Sequence, residues 1–140
     1  MSEERKYGTT RTYQQIFLLS LASLGVYYLF YLYWNFKDLE EHYQKAYDHE
    51  KMASPTHNNS LTMFLFIFVF PIYSIYKKYQ LLHDHIDTSA IKSKPNAPSG
   101  LIALLVFIFG PLTLGIWPIM NEIKWQKAMN SHILEHANEQ

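Results

Sequence analysis

Three runs of apolar residues organise the chain: Ile16 to Trp34, Leu61 to Tyr76 and Leu101 to Met120. After each of them, apolar and polar positions recur at helical spacing. The first run holds only Ser20, Ser23 and Gly25 as non-apolar members. At 1.5 Å per residue it reaches about 28 Å, close to the ~30 Å hydrocarbon core of a bilayer. The second reaches about 24 Å and carries Pro71, which makes it marginal for a crossing. The third reaches about 30 Å but is interrupted by Gly110-Pro111, Gly115 and Pro118. The pattern predicts an all-α, polytopic integral membrane protein. It would have three transmembrane helices, kinked or partly re-entrant, each followed by an amphipathic helix.

The amphipathic stripes are explicit. Leu39, Tyr43 and Tyr47 follow the first run, Leu82 the second, and Trp125, Met129 and Ile133 the third. Their opposite faces carry Asp38, Glu41, Lys45, Asp84, Lys124 and Lys127. Such helices bury their apolar stripe against headgroups, one another or a partner, so these seven stripe residues are the expected interface contacts. Thr12 and Gln15 suggest a capping box ahead of the first run, and Ser54-Pro55 with Asn58-Asn59-Ser60 break the chain before the second. A single membrane domain results, with units at about 12–52, 60–88 and 100–137 and linkers at 53–59 and 88–99. Breaks are expected near Gly25, Pro71 and Gly110 to Gly115.

The units repeat. Leu24-Gly25-Val26-Tyr27 lies ninety positions before Leu114-Gly115-Ile116-Trp117, and at the same offset Lys37 meets Lys127 and His42 meets His132. The string from Ser23 to Trp34 (SLGVYYLFYLYW), and Leu114-Gly115-Ile116-Trp117 followed by Asn121-Glu122-Ile123, resemble a family of small polytopic prokaryotic membrane proteins of unknown function with TLGIYxLYW-like boxes. The middle box departs from that pattern, showing Phe70-Pro71-Ile72-Tyr73 in place of glycine and tryptophan. The resemblance implies a membrane architecture and no catalytic residues.

Charge offers a topology. With three spans, Arg5, Lys6, Arg11, Lys77, Lys78, Lys92 and Lys94 share one side, against Lys37, Lys45, Lys51, Lys124 and Lys127. That excess favours the N-terminus inside and the C-terminus outside. A re-entrant arrangement competes, because repeated units would share one orientation whereas successive spans alternate. In it each run dips, returns at its Gly or Pro break, and leaves every polar tail on one face.

Composition sharpens the class. All 12 basic and 12 acidic residues lie outside the three runs, and their balance gives no reason to expect nucleic acid as a partner. With no cysteine, thiolate metal sites and thiol nucleophiles are excluded. No phosphate loop, Ser-His-Asp set or HExxH string occurs, and no intramembrane carboxylate suggests a pump. Seven histidines are the only candidate chemistry. His132 and His136 are four apart on a helix, and bundling of the tails would bring His42, one of His83 or His85, and His132 together. Ordinary histidines on a solvated face are the preferred reading, with no metal and no cofactor. The expected protein is a small non-catalytic subunit, structural or accessory, of a larger membrane complex. The alternative is a self-assembling membrane protein that forms a permeation path or reshapes the bilayer. Partners are the lipid bilayer and a membrane protein or further copies of the chain.

Overall fold

The computed structural model describes residues 3–50, 60–91, 94 and 96–138, with the backbone alone for 3–5 and 46–50. A short antiparallel hairpin, β1 (Glu3–Arg5) and β2 (Gly8–Thr10), precedes six α-helices among the described residues. These are α1 (Tyr13–Ala22), α2 (Val26–Glu50), α3 (Ser60–Val69), α4 (Pro71–Thr88), α5 (Gly100–Phe109) and α6 (Ile116–Asn138). A single 3-10 turn, Gly110–Thr113, stands between α5 and α6.

Every apolar run is cut in two, and local chemistry explains each cut. In the first run Leu24 and Gly25 both take positive φ, 53° and 90°. The Gly25 N–H donates back to the Ser20 carbonyl at 2.7 Å, which closes α1 in the manner of a Schellman turn. The Ser23 hydroxyl then accepts the Tyr27 N–H at 2.8 Å and opens α2. Ninety residues later the same device recurs: Leu114 and Gly115 at 52° and 81°, Gly115 N–H to Gly110 carbonyl at 3.1 Å, Trp117 N–H to Thr113 hydroxyl at 3.2 Å. The repeat read from sequence is therefore a repeat of hydrogen bonds, and the exchange of Ser23 for Thr113 keeps the hydroxyl that the turn needs. In the middle unit Pro71, lacking an N–H, sits in the first turn of α4 after Phe70, whose φ of -144° and ψ of 69° are not helical.

Each run folds back on itself. The rings of Tyr13 and Tyr31 lie 6.1 Å apart, and Arg11 reaches Asp38, so residues on either side of Leu24 meet. Ser74 donates to the Met63 carbonyl at 3.1 Å across the second break. A Cβ on Gly110 would stand 2.6 Å from Pro118 Cγ across the third. No helix among the described residues is long and apolar enough to cross a membrane. The three transmembrane helices, kinked or partly re-entrant, expected from run length are not supported: a ten-residue helix reaches about 15 Å, half a hydrocarbon core. Run length measures apolar content and is blind to a reversal in the middle.

The long tails run parallel. Trp125 and His132 of α6 meet Lys78 and His85 of α4, the same step along both helices, while Tyr31 and His42 of α2 meet Gln126 and His132. All three tips therefore lie at one end of the molecule and all polar tails at the other. The alternating loop sides inferred from seven cations against five are incompatible with this arrangement. The core lies between the tails and contains Leu39, Tyr43, Tyr79, Leu82, Ile86, Trp125, Met129 and Ile133.

The β-hairpin was not anticipated, being too short and polar to show a period. It packs over α2 and α6 at the polar end. Gly8, at φ 145°, passes so close that a Cβ would lie 3.1 Å from Ile133 Cδ1 and 3.5 Å from His42 Cβ. Gly8→Val adds strain and lifts this flap, and it is expected to lower stability by about 1–3 kcal/mol in a detergent thermal melt.

Candidate functional site

Four histidines converge beneath the hairpin flap: His42 from α2, His85 from α4, and His132 and His136 one turn apart on α6. One nitrogen from each lies within 4.8 Å of the others. The Nε2 atoms of His42 and His85 are 3.1 Å apart and those of His132 and His136 are 3.3 Å apart. All four side chains are buried, three of them completely. Each repeat unit supplies at least one, and the offset of ninety that relates His42 to His132 is the offset that relates the two Leu-Gly turns.

Their surroundings fix the protonation of one ring. His42 Nδ1 is 2.7 Å from the Tyr7 carbonyl, so it carries the hydrogen and donates it, which leaves the Nε2 lone pair facing the cluster. Burial holds the His42 pKa down at about 3, with the neighbouring His85 and His132 adding to the shift. The ring is therefore neutral at ordinary pH. Tyr7 also closes the site from above, its ring 5.1 Å from that of His136. His83, by contrast, lies apart and pairs through Nδ1 with the Ala97 carbonyl at 2.7 Å.

Two charged contacts bind the units around this site. Lys78, fully buried, places its ammonium on Glu122 at 2.5 Å and over the Trp125 ring at 4.7 Å, while Tyr79 donates to the other Glu122 oxygen. Burial pulls the Lys78 pKa down and Glu122 opposes it. Arg11 grips Asp38 with two nitrogens, and burial still raises the Asp38 pKa above its usual value. Asn130 fixes the same strand end, accepting from the Arg11 N–H at 3.1 Å and donating to the Arg11 carbonyl at 2.7 Å.

The opposite end has a different chemistry. Leu24 is 95% exposed and Leu114 92%, each the central residue of its turn. Val69 and Phe70 are exposed at the second tip, and Leu18, Leu21, Leu101 and Ile108 continue the apolar surface along the short helices. Leucine in the left-handed region costs roughly 1–2 kcal/mol.

Of the residues expected at interfaces, Leu39, Tyr43, Leu82, Trp125, Met129 and Ile133 lie in the core between the three tails. The Tyr47 side chain is outside the described residues. His42, His132 and His136, set aside as solvated, are brought together, and His85 joins them while His83 does not. The histidines of this group are buried in the bundle, which corrects the solvated-face reading. The alignment of His42 with His132 was the signal that pointed to the site. What the sequence could not show was the parallel packing that makes equivalent positions neighbours. Thr12 stands at the N-cap of α1 but makes no side-chain capping bond. Comparisons with protein-family models, curated proteins and solved structures give no match.

Proposed function

We propose that this is a non-catalytic membrane protein of the monotopic kind, embedded in one leaflet through three helical hairpins and serving as a structural or accessory subunit at the membrane surface. The observation that carries the reading is the exposure of leucine at both Leu-Gly tips, backed by a continuous apolar surface on α1, α3 and α5. The depth fits as well: ten-residue helices are matched to one leaflet. The turns also suit hydrocarbon, because Leu24, Gly25, Leu114 and Gly115 each place the backbone N–H on a carbonyl within the hairpin. Parallel tails then hold the charged residues together at the headgroups, and Lys77, beside the Tyr73 ring, sits where an interfacial anchor is favourable.

Depth-dependent quenching tests this reading. Trp117 is half exposed near the third tip. In vesicles of brominated lipid its fluorescence is expected to be quenched most strongly by bromines deep in the acyl chain, with Trp117→Phe as the control for Trp34 and Trp125. Quenching only by headgroup-level bromines, or none, would remove the membrane reading. The subunit role is tested by mass in native nanodiscs: an unrelated chain at fixed stoichiometry is the expected result, and a homo-oligomer would favour self-assembly instead.

A further inference from the structure

We propose that His42, His85, His132 and His136 form a closed tetrahedral site for one divalent zinc-like ion, which ties the three repeat units and the N-terminal flap together. This goes beyond the membrane reading and does not depend on it.

The geometry is the argument. With metal–nitrogen bonds of about 2.0–2.1 Å, four tetrahedral nitrogens lie about 3.3–3.4 Å apart and the ring centres about 5 Å apart. Two of the six nitrogen pairs are 3.1 and 3.3 Å apart, and all six lie within 4.8 Å. Ring centres are separated by 5.0 Å for His42–His85, His42–His132 and His85–His132, 5.1 Å for His42–His136 and 4.8 Å for His132–His136. A square plane has only four equal edges, and its diagonals are longer by two-fifths. Five of the six ring separations are near-equal, as in a tetrahedron and one more than a square plane allows.

The competing explanation is a pair of N–H···N hydrogen bonds between neutral imidazoles. Two such bonds would set the His42–His85 and His132–His136 distances and leave the cross-pair distances free. Three of the four cross pairs have ring separations of 5.0 to 5.1 Å, matching the bonded pairs, which calls for a common centre. The supporting group is also present, since the Tyr7 carbonyl accepts the His42 Nδ1 hydrogen and aims Nε2 inward, the arrangement that orients metal-bound imidazoles elsewhere.

Imidazole ligands suit zinc, copper, iron and nickel, but a filled d shell imposes no geometry and accepts the tetrahedron offered here. Four protein ligands leave no open position, so the site is structural and not hydrolytic. Because its ligands come from α2, α4 and α6, the ion would hold the tails in the parallel arrangement that sets all tips at one end.

The test uses the full chain purified in mild detergent. Metal analysis is expected to find about one zinc per chain, and removal by a strong chelator is expected to lower Tm by about 10 °C or more, restored by added zinc. Cobalt loaded into the stripped protein should give the intense visible bands of tetrahedral Co²⁺. His132→Gln and His42→Gln should each weaken zinc binding at least tenfold, while His83→Gln should leave it unchanged. Unchanged zinc affinity in both cluster variants, a weak octahedral cobalt spectrum, or a wild-type Tm indifferent to chelator and zinc would overturn the proposal. The cobalt spectrum is read on wild-type protein, so a variant that fails to fold still leaves the proposal decided. Because no lipid enters these measurements, they remain separate from the depth of the tips.

Discussion

Aspartate at both exposed tips, Leu24→Asp with Leu114→Asp, is expected to lower the vesicle partition coefficient by about a hundredfold to several thousandfold while leaving folding in detergent intact. The sign follows from the medium. A carboxylate at mid-bilayer costs about 2.5–3.5 kcal/mol and less at shallower depth, so two of them at leaflet depth remove roughly 3–5 kcal/mol. In water the same exposed positions would tolerate the change within about 0.5 kcal/mol. Aspartate also accepts the left-handed conformation of Leu24 and Leu114 better than leucine does, so the turns themselves gain and do not lose. Flotation on vesicles gives the partition coefficient, and a detergent melt gives the fold. Unchanged partitioning would mean that the tips do not lie in hydrocarbon.

Glu122→Ala is expected to be the most damaging single change in the polar half, lowering stability by about 3–5 kcal/mol, because it strands the Lys78 ammonium in the core. The Tyr79 hydroxyl would lose its acceptor in the same step. Restoring shape without charge, with Lys78→Met and Glu122→Leu together, should return most of the loss, since a buried ion pair contributes little over well-packed apolar residues of similar volume. Thermal melts of the two variants and the wild type in one detergent decide it. A double variant as unstable as Glu122→Ala would show that the pair supplies more than mutual neutralisation.

The elements themselves were legible in the residues. Breaks at Gly25, Pro71 and Gly110 to Gly115 followed from apolar period and from Gly and Pro, because those signals are local, while the expected linker 53–59 and part of 88–99 lie outside the described residues. The offset of ninety was legible for the same reason, as Leu24-Gly25 and Leu114-Gly115 encode one turn with one set of hydrogen bonds. The direction of the chain after each turn was not. A straight span and a folded-back hairpin share their apolar content; the positive φ of Leu24 and Leu114 separates them in the first and third runs, and the break at Phe70–Pro71 does so in the second. Counting lysines then compared sides that the folded chain never separates. The four-histidine cluster fell between: the equivalence of His42 and His132 was visible, but the choice of His85 over His83 depends on which face of α4 meets α6. The N-terminal flap was invisible, since its two strands have three residues each and owe their position to Gly8 lying on Ile133.

The central claim, that three hairpins enter and leave by the same face, is tested most directly by labelling. Cysteine is absent, so single cysteines at Gln44, Asp87 and Asn138, all exposed on the tails, can each be offered an impermeant maleimide in sealed vesicles of one orientation. The account predicts that all three react from the same side and that a cysteine at Leu24 reacts from neither. Asp87 labelling from the side opposite to Gln44 and Asn138, the pattern of three alternating spans, would contradict it.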